Sequence, residues 1–232
     1  MTLIRRNLIL IILCILFAVG TVGHILPDFR NLMLSMTEWF LLGCNLVVIS
    51  SVINENKDRN PAKFQLWILI SFLVTFAAEV IGVATGLVFG NYSYGSVFGL
   101  QLWETPLLIG LNWVLVTLGA ILVVQNVIKL IEKRNTKLIF GSRIKFIITC
   151  ILAGLVAVVF DFVLEPVAIK LGYWNWEGGI IPLQNYITWF ILTVFCTGLY
   201  QLLRIRMRSN LAQYYLLIQF IFFVLLQLFV KI

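Results

Sequence analysis

The sequence predicts an all-α, polytopic membrane protein with about seven transmembrane helices. Of its 232 residues, 61% are hydrophobic and only 12% are charged, and the mean hydropathy is +1.02. Soluble domains are closer to half apolar and a quarter charged. A chain of this length could not bury so much apolar surface in water. We therefore exclude a soluble enzyme, a disordered segment and a secreted disulfide scaffold, and we expect one integral membrane domain over residues 1–232.

Seven apolar runs come close to the roughly 20 residues that a helix needs to cross a bilayer. In chain order, the predicted spans cover residues 7–26, 33–53, 64–88, 103–128, 144–168, 183–203 and 211–230. The first run follows Arg5 and Arg6 and therefore also resembles a signal peptide. Its apolar core is longer than that of most signal peptides, so we expect the span to be retained. The four cysteines all lie within spans, so we expect neither disulfides nor a metal site.

The basic residues predict the orientation of the chain. Of the 17 Lys and Arg residues, 14 fall in the N-terminal segment and in the second, fourth and sixth connections. The positive-inside rule then places the N-terminus inside and the C-terminus outside. The net charge is +7, but it is divided into short runs between apolar stretches. We therefore expect these connections to bind anionic lipids at the cytoplasmic surface, and we expect no nucleic acid partner.

Acidic residues concentrate toward the predicted outer side of the spans. Glu79 lies about two thirds of the way along the third span, Glu104 opens the fourth, and Asp161 and Glu165 lie in the outer part of the fifth. A carboxylate in hydrocarbon costs roughly 2.5–3.5 kcal/mol on insertion scales, so this group indicates a functional site. Asp161 and Glu165 are one helical turn apart, where two charges repel, so we expect at least one of them to be protonated. Pro166 predicts a disturbed helix at this point. For Glu104, near the interface, hydrogen bonding between helices is an equally good explanation.

Aromatic residues crowd the same outer boundary. Two explanations remain open: an aromatic belt at the headgroup level, or an aromatic pocket whose ring faces stabilise a cation. Trp113 and Trp189 lie deeper in their spans than the others and fit the pocket better. His24, the only histidine, lies at the first outer turn, and we expect it to be a solvated side chain at the interface.

Two units of the chain, about 64–131 and 144–208, share an order of residue types: an acid, an aromatic-x-aromatic pair, a proline, and a tryptophan seven residues later. The matching residues are Glu79 and Asp161, Tyr92 and Trp174, Tyr94 and Trp176, Pro106 and Pro182, and Trp113 and Trp189. Spans three and four run in the same directions as spans five and six, so the predicted repeat is parallel. It predicts a site between the two units, toward the outer leaflet.

Two motifs in residues 79–190 carry a family resemblance. The first is Glu79-x2-Gly82-x3-Gly86-x3-Gly90-x-Tyr92-x-Tyr94-Gly95, followed by Pro106 and Trp113. The second comprises Asp161-x3-Glu165-Pro166-x-Ala168, Gly172-Tyr173-Trp174-x-Trp176 and Pro182-x2-Asn185-Tyr186-x2-Trp189. Together they resemble the membrane-integral carotenoid hydratases of the bisanhydrobacterioruberin and γ-carotene 1′,2′-hydratase type. The resemblance implies a hydro-lyase that adds water to the terminal C1–C2 double bond of a linear ψ-end carotenoid, without a metal or cofactor. It also implies a prokaryotic inner membrane, a carotenoid drawn from the bilayer, and other carotenoid-pathway enzymes as candidate partners.

The acidic and aromatic residues suit that reaction. A carboxylic acid kept protonated by burial can protonate C2, and aromatic faces with a nearby carboxylate can stabilise the tertiary cation at C1. Water then attacks C1 and loses its proton to a second carboxylate. The expected catalytic residues are Glu79, Asp161, Glu165 and Glu104, and the expected substrate-binding residues are Tyr92, Tyr94, Trp113, Trp174, Trp176, Asn185 and Trp189. Either Asp161 or Glu79 fits the acid, and either Glu165 or Glu104 fits the group that orders the water.

Two alternatives stay open. The second unit also resembles the heterodimeric-type lycopene cyclases, which form the same cation but quench it with an internal double bond. Those enzymes have Pro-Leu-Glu-Glu where this chain has Pro182-Leu183-Gln184-Asn185, so amides replace both carboxylates. A seven-span proton or solute transporter is compatible with buried acids, but transporters commonly have polar or broken helices that reach both faces. Here the polar residues lie only in the outer half.

Overall fold

A computed structural model of the chain describes residues 3–57, 59, 61–135, 140–207 and 210–230. Its helices are α1 (Leu3–Ile25), α2 (Pro27–Glu55), α3 (Pro61–Thr85), α4 (Leu107–Arg134), α5 (Ser142–Lys170), α6 (Leu183–Leu202) and α7 (Leu211–Phe229). Its short strands are β1 (Tyr92–Tyr94), β2 (Gln101–Leu102), β3 (Thr105–Pro106) and β4 (Trp174–Trp176), and a 3₁₀ turn covers Glu177–Gly179. The predicted all-α polytopic fold is confirmed. Lys137, Arg208 and Lys231, which contribute to the predicted orientation, lie outside the described residues.

Within the described ranges, six helices are long and apolar enough to cross a membrane. The seventh, α6, is also 20 residues long, but its first turn carries Gln184 and Asn185. Helix α6 is not among those six, so its length alone supports the sixth predicted span.

Helix α4 forms the centre of the bundle. Of its most apolar 18-residue window, 78% is buried, compared with 22% for α1 and for α2. A helix that is apolar on every face is stable only when other helices surround it, and α4 packs against α2, α3, α5, α6 and α7. The helices on the outside expose their apolar faces, as lipid contact requires.

A polar network joins three helices inside the bundle. Asn45 on α2 donates from Nδ2 to Oδ1 of Asn112 on α4 at 2.7 Å, and the Tyr215 hydroxyl on α7 donates to Oδ1 of Asn45 at 2.9 Å. Hydrogen bonds between membrane helices stabilise by about 0.6 kcal/mol on average. This network therefore fixes the relative positions of α2, α4 and α7 more than it adds stability.

Strands β1 and β4 pair antiparallel, although helices α4 and α5 both lie between them in the chain. Tyr92 lies opposite Trp176, and Tyr94 lies opposite Trp174. The backbone of Gly95 extends the ladder by donating to the Tyr173 carbonyl at 2.9 Å. The pairing joins the segment that follows α3 to the segment that follows α5, and it places four aromatic side chains together.

Two local expectations differ from the structure. The third span ends as a helix at Thr85, before residue 88, because the chain turns at Gly86 and Gly90, whose φ angles are +68° and +109°. Such angles strain any residue with a Cβ. Helix α5, by contrast, runs through Pro166 to Lys170, so the proline removes a backbone donor without ending the helix.

Candidate active site

A cavity of about 250 Å³ lies among the helices in the described part of the chain. All seven helices and strands β1 and β4 contribute to its lining, which is mainly apolar and aromatic. Pockets that enclose a drug-sized ligand typically measure roughly 300–1,000 Å³. This cavity is therefore suited to one end of a long apolar molecule rather than to all of it.

The cavity has its lipid-facing side between α1 and α2. Among its lining residues in the described chain, only Leu16, Val19 and Met36 are exposed, by 42%, 59% and 53%. Leu16 and Val19 lie on α1, and Met36 lies on α2. An apolar molecule in the bilayer would meet the cavity at these three side chains.

Glu79 is buried at one wall of the cavity and accepts three hydrogen bonds. Its Oε2 accepts from the hydroxyls of Tyr92 at 2.5 Å and Tyr94 at 2.7 Å, and its Oε1 accepts from Nε1 of Trp113 at 2.7 Å. Burial first, and then the Glu79 charge, raise the pKa of both tyrosine hydroxyls far above the usual value. Both hydroxyls therefore keep their protons and act as donors to the Glu79 carboxyl group.

Glu165 occupies a corresponding position on α5. Its Oε2 accepts from the indole nitrogens of Trp174 at 2.9 Å and Trp176 at 2.8 Å, and its Oε1 accepts from Nδ2 of Asn185 at 3.2 Å. An indole N–H can only donate. The two tryptophans therefore require an acceptor at this position, and a carboxylate provides it.

Asp161 has a different environment from the two glutamates. Its Oδ2 accepts from Nδ2 of Asn185 at 2.7 Å, so Asn185 bridges Asp161 and Glu165. Its buried Oδ1 has no hydrogen-bond partner among the described residues. A protonated carboxyl carries its hydrogen on one oxygen and accepts on the other, and this is the arrangement that Asp161 allows.

The hydrogen bonds pair the acids differently from the sequence. In the repeated sequence pattern, Glu79 corresponds to Asp161. By its hydrogen-bond donors, Glu79 instead corresponds to Glu165, because each glutamate accepts hydrogen bonds from both aromatic residues of one strand. Helix α5 continues further past Asp161 than α3 continues past Glu79. As a result Glu165, rather than Asp161, lies about as far from the end of its helix as Glu79 does. The internal repeat stays a prediction.

Stacked aromatic rings form another wall of the cavity. The rings of Trp113 and Trp189 lie 3.8 Å apart between centroids, with 25° between their planes. The rings of Tyr92 and Trp176 lie 5.0 Å apart. All four side chains line the cavity, so the structure brings together the aromatic residues that the sequence indicated.

Of the eleven candidate residues, ten line this cavity: Glu79, Asp161, Glu165, Tyr92, Tyr94, Trp113, Trp174, Trp176, Asn185 and Trp189. Glu104 does not line the cavity. It is exposed in the turn between β2 and β3, with a φ angle of +60°. The chain reverses direction there before α4 begins, which carries the side chain away from the cavity.

Sequence reasoning missed several polar residues of the cavity, including His24 and Gln219. His24 was expected to be solvated, but only 5% of it is exposed. It is buried because α1 continues to Ile25 and packs against α7. Gln219 had a usable signal, because it interrupts an apolar helix. His24 had none, since a histidine at the end of a span usually contacts water.

The fold and the site together define an integral membrane protein with buried carboxylates in an aromatic cavity that faces the lipid. Residues 36–232 match the model of a family described as carotenoid biosynthesis protein, and the chain belongs to that family. Among characterised relatives, it is similar to the bisanhydrobacterioruberin hydratase of Haloarcula japonica, with 28% identity over 124 residues. That match covers 51% of this chain and 38% of the relative. No solved structure matches the chain.

Proposed function

We propose that the protein is a carotenoid hydratase that adds water to the terminal C1–C2 double bond of a linear ψ-end carotenoid. The observation that carries this proposal is the contrast between the three buried acids. Glu79 and Glu165 are surrounded by donors, whereas Asp161 keeps one oxygen without a partner among the described residues. One protonated acid and two carboxylates are what an acid-initiated addition of water requires.

In the proposed reaction, Asp161 gives its proton to C2, and the π electrons of the double bond form the new C–H bond. The tertiary cation left at C1 lies in an aromatic cavity, where the Trp113 and Trp189 rings and the charge of Glu79 stabilise it. A water oxygen then bonds to C1 and loses one proton to Glu165. Return of that proton from Glu165 to Asp161, one helical turn away, restores the site and balances the reaction.

The shape of the cavity supports a substrate that arrives from the bilayer. Its exposed lining residues, Leu16, Val19 and Met36, lie on the lipid-facing side of α1 and α2. A carotenoid could insert one end there while the rest of its polyene chain remains in lipid. Only the end group, which contains the reacting double bond, then needs to fit the cavity.

The proposal includes a location and partners. The 14 basic residues of one side support a cytoplasmic N-terminus, contacts with anionic lipids on that side, and a site toward the extracytoplasmic side of a prokaryotic inner membrane. The substrate partner is the carotenoid, and enzymes that act before or after it in carotenoid synthesis are candidate protein partners. The proposed chemistry uses only side chains and water.

The test is expression in hosts that accumulate lycopene or γ-carotene, with chromatography and mass detection of the pigments. Hydration predicts a more polar product that is heavier by one water. A product of unchanged mass with a ring-containing spectrum would instead identify a cyclase. Unaltered pigment, also after bacterioruberin precursors are supplied, would refute the enzyme and favour a transporter.

A matched pair of variants tests the site itself. Asp161→Asn should abolish the product while the protein remains inserted in the membrane. Asp28→Asn makes the same change at an exposed residue in the first turn of α2 and should keep full activity. If Asp161→Asn and Glu79→Gln both kept full activity, the carboxylate site would be wrong.

A further inference from the structure

His24 forms a second polar position in the cavity, on a different helix from the three acids. It lies in the last turn of α1, is only 5% exposed, and lines the cavity. Its Nδ1 lies 2.7 Å from the Gly20 carbonyl oxygen, which only an N–H can approach as a hydrogen bond. Its Nε2 is buried and has no partner among the residues that the structure describes.

Packing alone does not explain this side chain. A buried polar atom without a hydrogen bond destabilises the folded protein, and the large majority of buried side-chain polar atoms in proteins have a partner. The ring contacts Phe222 edge to face, with 5.7 Å between centroids, and phenylalanine in its place would make that contact without the cost. The unpartnered Nε2 beside the cavity is therefore best explained by a ligand atom that forms the missing hydrogen bond.

The surroundings define the chemistry of that ligand atom. Gln219, which also lines the cavity, lies three residues before Phe222 and so on the same face of α7. A hydroxyl group suits this position because it can donate to an imidazole lone pair or accept from an imidazole N–H. A hydroxyl ligand therefore fits whether the imidazole of His24 is neutral or protonated. A carbon–hydrogen chain alone would leave Nε2 without a partner.

A series of aromatic contacts connects His24 with the residue that precedes Asp161. Phe160, the residue before Asp161, contacts Phe223 at 5.9 Å between centroids, and Phe223 contacts Phe222 at 5.2 Å. Phe222 in turn contacts His24. His24 lies on α1 and Asp161 on α5, with the Phe222 and Phe223 rings of α7 in the series of contacts between them. We therefore treat the group that His24 would bind as distinct from the double bond that reacts at Asp161.

We propose that His24, through Nε2, is a binding residue for an O–H group in the cavity, supplied by an alcohol on the carotenoid or by a water molecule. The choice of a carotenoid rests on the proposed function. His24 precedes residues 36–232, the segment matched by the family model. His24 thus lies on α1, outside that segment. We expect it to affect which carotenoids bind rather than how the double bond reacts.

Equilibrium binding tests the proposal without requiring turnover. Purified protein in detergent is titrated with lycopene and with its singly hydrated, hydroxyl-bearing derivative, and quenching of tryptophan fluorescence gives each Kd. If the carotenoid supplies the O–H group, His24→Phe should raise the Kd of the hydroxylated ligand about 2- to 12-fold, which corresponds to one hydrogen bond. The Kd of lycopene should stay unchanged, and His24→Asn should keep part of the preference.

A second variant shows whether any change in α1 has the same effect. Thr21 is buried on the same helix, donates to the Phe17 carbonyl at 2.8 Å, and is not among the residues that line the cavity. Thr21→Val should leave the two Kd values in the same ratio as in the wild-type protein.

The other results are equally informative. An equal change of both Kd values in His24→Phe would assign the O–H group to water. If both Kd values stayed unchanged, the His24 position would be refuted while the hydratase proposal would stand. If the wild-type protein bound neither carotenoid, both proposals would fail.

Discussion

Asn185 is the residue whose replacement should separate catalysis from stability most clearly. Its Nδ2 is the donor that bridges the two acids of α5, at 2.7 Å from Asp161 and 3.2 Å from Glu165. Asn185→Leu keeps a similar size and removes both bonds. Asp161 would then lose its donor, and its Oδ2 would have no partner among the described residues.

The expected magnitude follows from these two distances. The bond to Asp161 is short for an N–H···O contact, and the bond to Glu165 is at the long end of the range. In the proposed transition state Asp161 becomes charged as it gives up its proton, so one full hydrogen bond from Asn185 to a charged group counts about 1.5–3 kcal/mol. If that interaction contributes to the transition state, kcat/KM falls by about 10- to 150-fold. The assay is the rate of product formation in membranes, measured by pigment chromatography and normalised to folded protein.

Asn126 on α4 offers a matched control. Its Nδ2 also donates two hydrogen bonds, to Asn210 at 3.1 Å and to Gln213 at 2.5 Å, but it is not among the residues that line the cavity. Asn126→Leu should lower the thermal stability and leave kcat/KM per folded protein within about threefold of wild type. Equal losses in both variants, or normal activity of Asn185→Leu, would refute the bridging role.

Three further predictions test other parts of the structure. Val19→Trp should slow carotenoid association about tenfold, because the larger side chain would block the lipid-facing side of the cavity. Val22 is similarly exposed on α1 but is not among the lining residues, so Val22→Trp should leave the association rate unchanged. Stopped-flow binding measures both rates. Gly95→Ala should lower stability by about 1–3 kcal/mol, seen as a lower Tm in detergent, because its Cβ would lie 2.1 Å from a backbone carbonyl of the facing segment. Gln184→Glu combined with Asn185→Glu restores the acidic pair of the cyclase pattern and should shift the product from an alcohol toward a ring of unchanged mass, whereas an unaltered product mixture would show that these amides do not direct the outcome.

The sequence predicted the membrane fold and most of the site for identifiable physical reasons. Membrane spans require long apolar runs, and a buried acid such as Glu79 is conspicuous in one because of its insertion cost. The paired strands were not predicted, since the contact between Tyr92 and Trp176 joins segments that two whole helices, α4 and α5, separate along the chain. The position of Glu104 outside the cavity was not predicted either, because it depends on a backbone turn that one sequence does not reveal.

The pairing of β1 with β4 makes the two glutamates dependent on each other. Tyr92 and Tyr94 bind Glu79, their strand neighbours Trp176 and Trp174 bind Glu165, and the strands hold all four in one register. A change that separated the strands would therefore move the donors of both carboxylates at once. Neither acid can be positioned by its own helix alone, because its hydrogen-bond donors depend on a strand that pairs with the strand of the other. In the proposed reaction, the carboxylate beside the cation, Glu79, and the carboxylate that takes the proton of water, Glu165, are therefore held in place by one strand pair, which joins the two halves of the chain.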